Sequence, residues 1–238
     1  MAIALEIGPL SFPSKSAASE HFRTMLYRHG VGSYIPDPDA SELGWLLERH
    51  PEYGEKLGPG IKGFRVRKAV FGTLCFEVVR TDGSTTDFSF NSCVEGKRPS
   101  ELTEAITALR AEVTDDIMQK KREWFRDNGD HEGKVACAIT GARITIDQAH
   151  ADHAPPRPFG TLAIAFLEAR GIAPDRSFVS PPADNQYQPR LTDRALAEIW
   201  RAYHHKIAVL RIIEKKASLS SAHEGKVKSK DKQLRMNE

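Results

Sequence analysis

Asp152 and His153 stand side by side in AHADHAPPRPF, residues 149–159, just before the chain bends at Pro155 and Pro156. A carboxylate beside an imidazole can hold a divalent cation and a reacting water. It can equally be the polar end of a strand, bonded to its own turn. His150, two positions earlier, shares a face with Asp152 in an extended segment and is a candidate to widen the same shell. Other chemistries find little support. There is no Gly-rich phosphate loop, no Gly-x-Ser-x-Gly elbow and no dinucleotide fingerprint. Cys75, Cys93 and Cys137 lie far apart and outside any Cys-x-x-Cys knuckle, as reduced intracellular thiols would.

The elements that must position this pair follow from periodicity. SKSAASEHFRTMLYRHG sets Ala18, Phe22, Met25 and Leu26 at helical spacing behind capping serines and stops at Gly30. DASELGWLLERHP predicts a second helix, with Asp39 and Glu42 at capping-box spacing, Leu43, Leu46 and Leu47 as its stripe, and Pro51 blocking continuation. GIKGFRVRK alternates as a half-buried strand, Phe64 and Val66 on one face and Arg65 and Arg67 on the other. Asp82-Gly83 joins two more strands, with Leu74, Phe76, Val78, Phe88 and Phe90 inward. Leu102, Ile106, Leu109, Val113, Ile117 and Trp124 form the stripe of a helix roughly 36 Å long that joins two halves. Beyond it, KVACAITGARITIDQAHADH reads as a hairpin ending at Asp152 and His153. FGTLAIAFLEARG is a short helix, 172–190 a loop, and TDRALAEIWRAYHHK a helix capped by Thr192 or Asp193. AVLRIIE is a strand, and SLSSAHEGKVKSKDK a capped helix that fades into a disordered basic tail.

A chain of 238 residues, 40% of them hydrophobic, has room for two domains. The first residues lack a signal-peptide pattern and no run is long and apolar enough to span a bilayer, so the expectation is a soluble, cytoplasmic protein with no membrane partner. A net charge of +2 does not by itself imply nucleic acid. Cations nevertheless cluster in IKGFRVRK, QKKREWFR and EGKVKSKDKQLR. Each cluster is open to a second reading as a solvated face.

FPSKSAASEHFRTMLYRHG, WLLERHPEYGEKLGPGIKGFRVRK and CFEVVRTDGSTTDFSFNSCV, in that order, resemble the domain of the defective-chloroplasts-and-leaves (DCL) family. The resemblance implies a nucleic-acid-related adaptor, because that family is associated with plastid ribosomal RNA maturation and a related domain ends plant-specific RNA polymerase subunits. It supplies no catalytic residue.

CAITGARITIDQAHADHAPP and AVLRIIEKKASLSSAH resemble the two strands and the metal-site helix of HNH, or ββα-metal, nucleases. That resemblance implies one Mg²⁺ or Mn²⁺ ion held by Asp152, with His153 as general base. The pattern departs from the family where an asparagine is usual. Near the second strand the chain has Ala208 and Val209. On the final helix it has Ser218, a weaker ligand, with His223 one turn further on. His204 and His205 are candidates to replace an orienting asparagine.

The resulting expectation is an α+β chain. It has a DCL-like reader at 10–97 (helices and a small antiparallel sheet), a linker helix at 98–128, an HNH-like nuclease with helical insertions at 129–225, and a basic tail at 226–238. The leading function is a metal-dependent DNA endonuclease, an arrangement analogous to restriction enzymes that cut modified DNA. Arg65, Arg67, Lys68, Lys120, Lys121, Arg122, Lys226 and Lys228 would follow the phosphate backbone. The alternatives are a protein that binds nucleic acid without cutting it and an RNA-processing factor. The long helix leaves a homodimer open.

Overall fold

The computed structural model describes residues 4–69, 72–181, 183–184, 189–216 and 234–235. The chain is α+β and divides into two units, Met1–Pro99 with Pro182–Tyr187, and Ser100–Pro181 with Gln188–Glu238.

The first unit opens with a small antiparallel pair, β1 (Leu5–Ile7) and β2 (Leu10–Phe12). Gly8, at φ +55°, turns between them, and a Cβ there would lie 2.4 Å from the Trp45 ring. In α1 (Lys15–Arg28), Ser14 Oγ accepts from Ala17 N at the N-cap, and Ala18, Phe22, Met25 and Leu26 are all buried. The second helix, α2 (Asp39–Leu47), buries Leu43, Leu46 and Leu47, but its N-cap is Pro38 and no side chain caps it. Asp39 is instead drawn away by Arg28 and His29, which hydrogen-bond its carboxylate. After the short α3 (Tyr53–Leu57), strands β3 (Ile61–Lys68), β4 (Leu74–Arg80) and β5 (Thr85–Phe88) form an antiparallel sheet in that order. The Asp82-Gly83 turn has Gly83 at φ +86°. Phe90, expected in the last strand, instead opens α4 (Phe90–Glu95), because Ser89 accepts from Ser92 N and starts a helix there. Phe64, Val66, Phe76, Val78 and Phe88 pack against α1, α2 and α4 as one core.

In the second unit Ser100 caps α5 (Glu101–Asn128), a helix of 28 residues. This segment, expected as a linker, contributes Ala108, Leu109, Val113 and Ile117 to the unit's main core. Leu102, expected in the stripe, is 42% exposed, and the buried face runs instead through Ala105, Glu112, Lys121 and Phe125. The expected hairpin ending at the Asp-His pair is only β6 (Val135–Ala136) with β7 (Arg143–Ile144). The pair lies in a separate strand, β8 (Ala149–His153). Helices α6 (Phe159–Glu168) and α7 (Arg194–Ile207) follow, the latter capped by Asp193, whose carboxylate accepts from Leu196 N. The sheet of this unit has the order β10-β9-β8, with β9 (Val209–Glu214) antiparallel to both neighbours. Leu234–Arg235, expected in a disordered tail, form β10 by pairing with β9.

A second device fixes α5 to α7. Glu112, with no exposed side-chain surface, receives Arg194 through two nitrogens at 2.6 and 2.9 Å and Leu191 N at 3.2 Å, with Arg190 and Arg201 at 3.6 Å. Burial alone would raise its pKa, but the Arg194 hydrogen bonds and surrounding cations outweigh it and hold the carboxyl below its usual range. Trp200 Nε1 also donates to Leu109 O at 2.7 Å.

Candidate functional site

The register of β8 on β9 pairs Asp152 with Arg211 and His153 with Leu210. Successive strand residues project to opposite faces, so the two members of the pair part company. Asp152 lies beside Arg211, whose Nε and Nη2 donate to Oδ2 at 2.8 and 2.7 Å. Oδ1 makes no hydrogen bond among the described residues, and the side chain is 30% exposed. His153 turns inward, 5% exposed, its ring 5.2 Å from that of Phe159. Its Nε2 lies 2.9 Å from Nε2 of His204, which is fully buried and whose Nδ1 has no partner among the described residues.

Burial sets the charge of this imidazole pair. Desolvation pulls His153 down to about 4; Arg110 adds to the effect and Asp152 opposes it. His204 falls to about 3 through desolvation, then the neighbouring His153, His205 and Arg110. Both rings are therefore neutral at pH 7, and the short contact is one N–H donating to one bare nitrogen.

The other candidates are scattered. His150 is exposed on the Asp152 side of β8, opposite Ile213. His205 points to Asp116, Nε2 to Oδ2 3.0 Å. Ser218, His223, Lys226 and Lys228 lie outside the described residues. Among the described residues no three His, Cys, Asp or Glu side chains gather in a way that could hold a metal.

The basic stretches are also more occupied than their sequence suggests. Arg65 donates to Glu77 Oε2 through Nε at 3.0 Å and Nη2 at 2.7 Å, and Arg67 lies 4.0 Å from the same carboxylate. Lys68 is exposed. Lys120 sits 3.7 Å from Glu123, and Arg122 donates to Gln119. Lys121 does not face solvent: it is 6% exposed and donates to Ala149 O at 2.8 Å, and desolvation lowers its pKa. Lysines and arginines do not outnumber carboxylates in the first unit, and the positive excess of the chain lies in the second.

Two residues missed in the sequence belong to the site. Arg211 interrupts the apolar run of β9, and a lone cation there was the available sign that an anion faces it. Arg110 gave no sign. It sits on α5 with its guanidinium carbon 3.9 Å from the centre of the Phe159 ring, and its charge acts on Asp152, His153 and His204.

Residues 23–94 match the family described as Protein of unknown function (DUF3223). The Protein DCL, chloroplastic, of Solanum lycopersicum is 35% identical over 72 residues, 29% of this chain and 32% of that protein. This segment is a DCL-like, DUF3223 domain. It contains the last turns of α1, then α2, α3 and the β3-β4-β5 sheet. The DCL-like domain is also similar to part of the DNA-directed RNA polymerase IV subunit 1 of Arabidopsis thaliana, at 39% identity over 79 residues, 33% of this chain and 5% of that one. The chain thus spans a third or less of the length of these two curated relatives. The solution structure of an uncharacterized protein from Rhodospirillum rubrum is 39% identical, covering 39% of this chain and 89% of that one, with a TM-score of 0.37. Among the described residues no helix is long and apolar enough to cross a membrane.

Proposed function

We propose that the second unit is an HNH-type phosphodiester hydrolase acting on DNA and that the DCL-like domain directs it to its target. The observation that carries this reading is Asp152, a carboxylate with one oxygen unbonded among the described residues and an arginine on the other, next in sequence to an imidazole kept neutral. Hydrolysis of a phosphodiester needs a base for the attacking water and positive charge for the oxygen that leaves. A divalent ion bound at Asp152 would supply Lewis acidity and charge neutralisation there. Arg211 adds a fixed cation for a phosphate oxygen, and His153 is in the protonation state that a base requires.

For this chemistry the end of β8 must rearrange, because the register on β9 sets His153 on the strand face opposite Asp152. Giving up one neutral hydrogen bond costs about 0.5–1.5 kcal/mol, and loosening a part-exposed ion pair such as Asp152–Arg211 about 0–1 kcal/mol. General-base assistance is typically worth roughly 10² to 10⁴-fold, about 3–5 kcal/mol. An imidazole freed from its buried position regains basicity.

The test is incubation of the full chain with plasmid, oligonucleotide and folded RNA, with Mg²⁺ or Mn²⁺. Cleavage of DNA that disappears in the Asp152→Ala, His153→Ala double variant is expected. No cleavage with either metal, or equal cleavage by the double variant, defeats the reading.

A second reading is favoured by the opposed projection of Asp152 and His153 and by Ser218 where an asparagine is usual. Here the unit binds nucleic acid without cutting it, and the similarity to an RNA polymerase subunit draws RNA into the comparison. Ser218→Asn separates the two: appearance of cleavage in an otherwise inactive chain marks a degenerate site, whereas cleavage by the unaltered chain excludes this reading.

A further inference from the structure

We infer that Arg110 is the phosphate anchor of the Asp152 site, binding a non-bridging oxygen of the nucleic-acid backbone. The inference rests on the reading that this end of β8 handles phosphodiesters, and it names a residue outside the strands that carry the Asp-His pair. Arg110 lies on α5 directly after Leu109, whose carbonyl is fixed by the Trp200 indole at 2.7 Å. The guanidinium is laid over Phe159 at 3.9 Å, and Phe159 is itself 4% exposed and packed edge-on to Trp200 and His153. A guanidinium stacked on a ring spends its π face and keeps its in-plane N–H donors at the rim. Arg110 donates none of them within the described residues. Arg211 differs, because two of its nitrogens, Nε and Nη2, are already turned to Asp152 Oδ2. Among the described residues Arg110 is therefore a guanidinium that is pre-positioned and uncommitted, which is what planar recognition of a phosphate requires. Its charge reaches Asp152 without a hydrogen bond between them. Arg170 shows the same stacking, 4.1 Å over Phe166 on the same helix α6 as Phe159, but its charge is not among those acting on His153 or His204, and it serves as the control.

The experiment is fluorescence anisotropy of a 20-base-pair DNA duplex with the full chain, in EDTA, across a KCl series. Arg110→Gln should weaken binding about tenfold or more, as expected for a lost charge-assisted bond, and reduce the slope of log affinity against log salt by about one. Arg110→Lys should recover the slope but only part of the affinity, and Arg170→Gln should have the smaller effect of the two glutamine variants. Equal affinity and slope for Arg110→Gln and the unaltered chain overturn the inference, as does a lysine variant that behaves like glutamine. Because no metal is present, an unaltered chain that never cuts leaves the anchor standing if Arg110→Gln still loses affinity. A chain that cuts while Arg110→Gln binds normally removes the anchor alone.

Discussion

Acidification should destabilise the second unit well above the range where its carboxylates protonate, and the buried imidazole pair fixes the amount. Burial lowers His153 to about 4 and His204 to about 3, whereas both titrate near 6.5 once unfolded. The unfolded chain therefore takes up protons that the folded one refuses. Stability is fully present above about pH 7 and falls as pH drops through 6.5, and the loss continues to about 4 for one ring and about 3 for the other. At pH 5 each ring is roughly 1.5 units below its unfolded pKa, which at about 1.36 kcal/mol per unit gives a loss near 2 kcal/mol each, about 4 together. The assay is urea unfolding at pH 7 and pH 5, followed by fluorescence of Trp200, which packs 5.6 Å from the His204 ring. His204→Phe keeps an aromatic ring among Phe159 and Trp200 and removes one of the two titrations. Its loss between the two pH values should be smaller than that of the unaltered chain by about 2 kcal/mol. An equal loss in both proteins would refute the reasoning, because the pair would then not be held neutral by its surroundings.

Glu112→Gln leaves three part-exposed arginines facing an uncharged amide and should cost the second unit about 1.5–3 kcal/mol, read from its unfolding midpoint; a change under about 0.5 kcal/mol would show that the charge of Glu112 does not hold this network together. Lys121→Met should lower stability through the lost bond to Ala149 O while leaving the salt dependence of DNA binding unchanged; a reduced slope would return Lys121 to the binding surface. Gly8→Ala forces a Cβ to within 2.4 Å of Trp45 at a left-handed φ and should lower the melting temperature of the first unit, with a shifted Trp45 emission; unchanged melting contradicts the close approach.

The local elements were legible because short-range patterns decide them. Ala18, Phe22, Met25 and Leu26 are one helical face, and Asp82-Gly83 supplies the positive φ that a tight hairpin turn demands. Errors arose where tertiary partners compete with local rules. Asp39 has the right type and spacing for a cap, yet Arg28 and His29 claim it. Leu102 continues the α5 stripe by spacing, but the core that α5 meets is centred on Ala105, Leu109 and Glu112. The site was half legible. Adjacent Asp152 and His153 could be singled out, but their division between faces depends on the β8–β9 register, and Arg211 is 59 residues away from the carboxylate it holds. His204 lies 51 residues beyond His153, and no local pattern ties the two rings together; only the packing of α7 on β8 does.

The one-sided grip of Arg211 on Asp152 bears on ion size. With Oδ2 taken, the carboxylate has a single corner to offer, and in the site as proposed that would suit a small octahedral ion that keeps most of its water, such as Mg²⁺. Calcium, which takes more ligands and often both oxygens of a carboxylate, would gain the second oxygen only by displacing the guanidinium. An arginine that looks like a competitor for the metal would then act as a gauge against the larger ion.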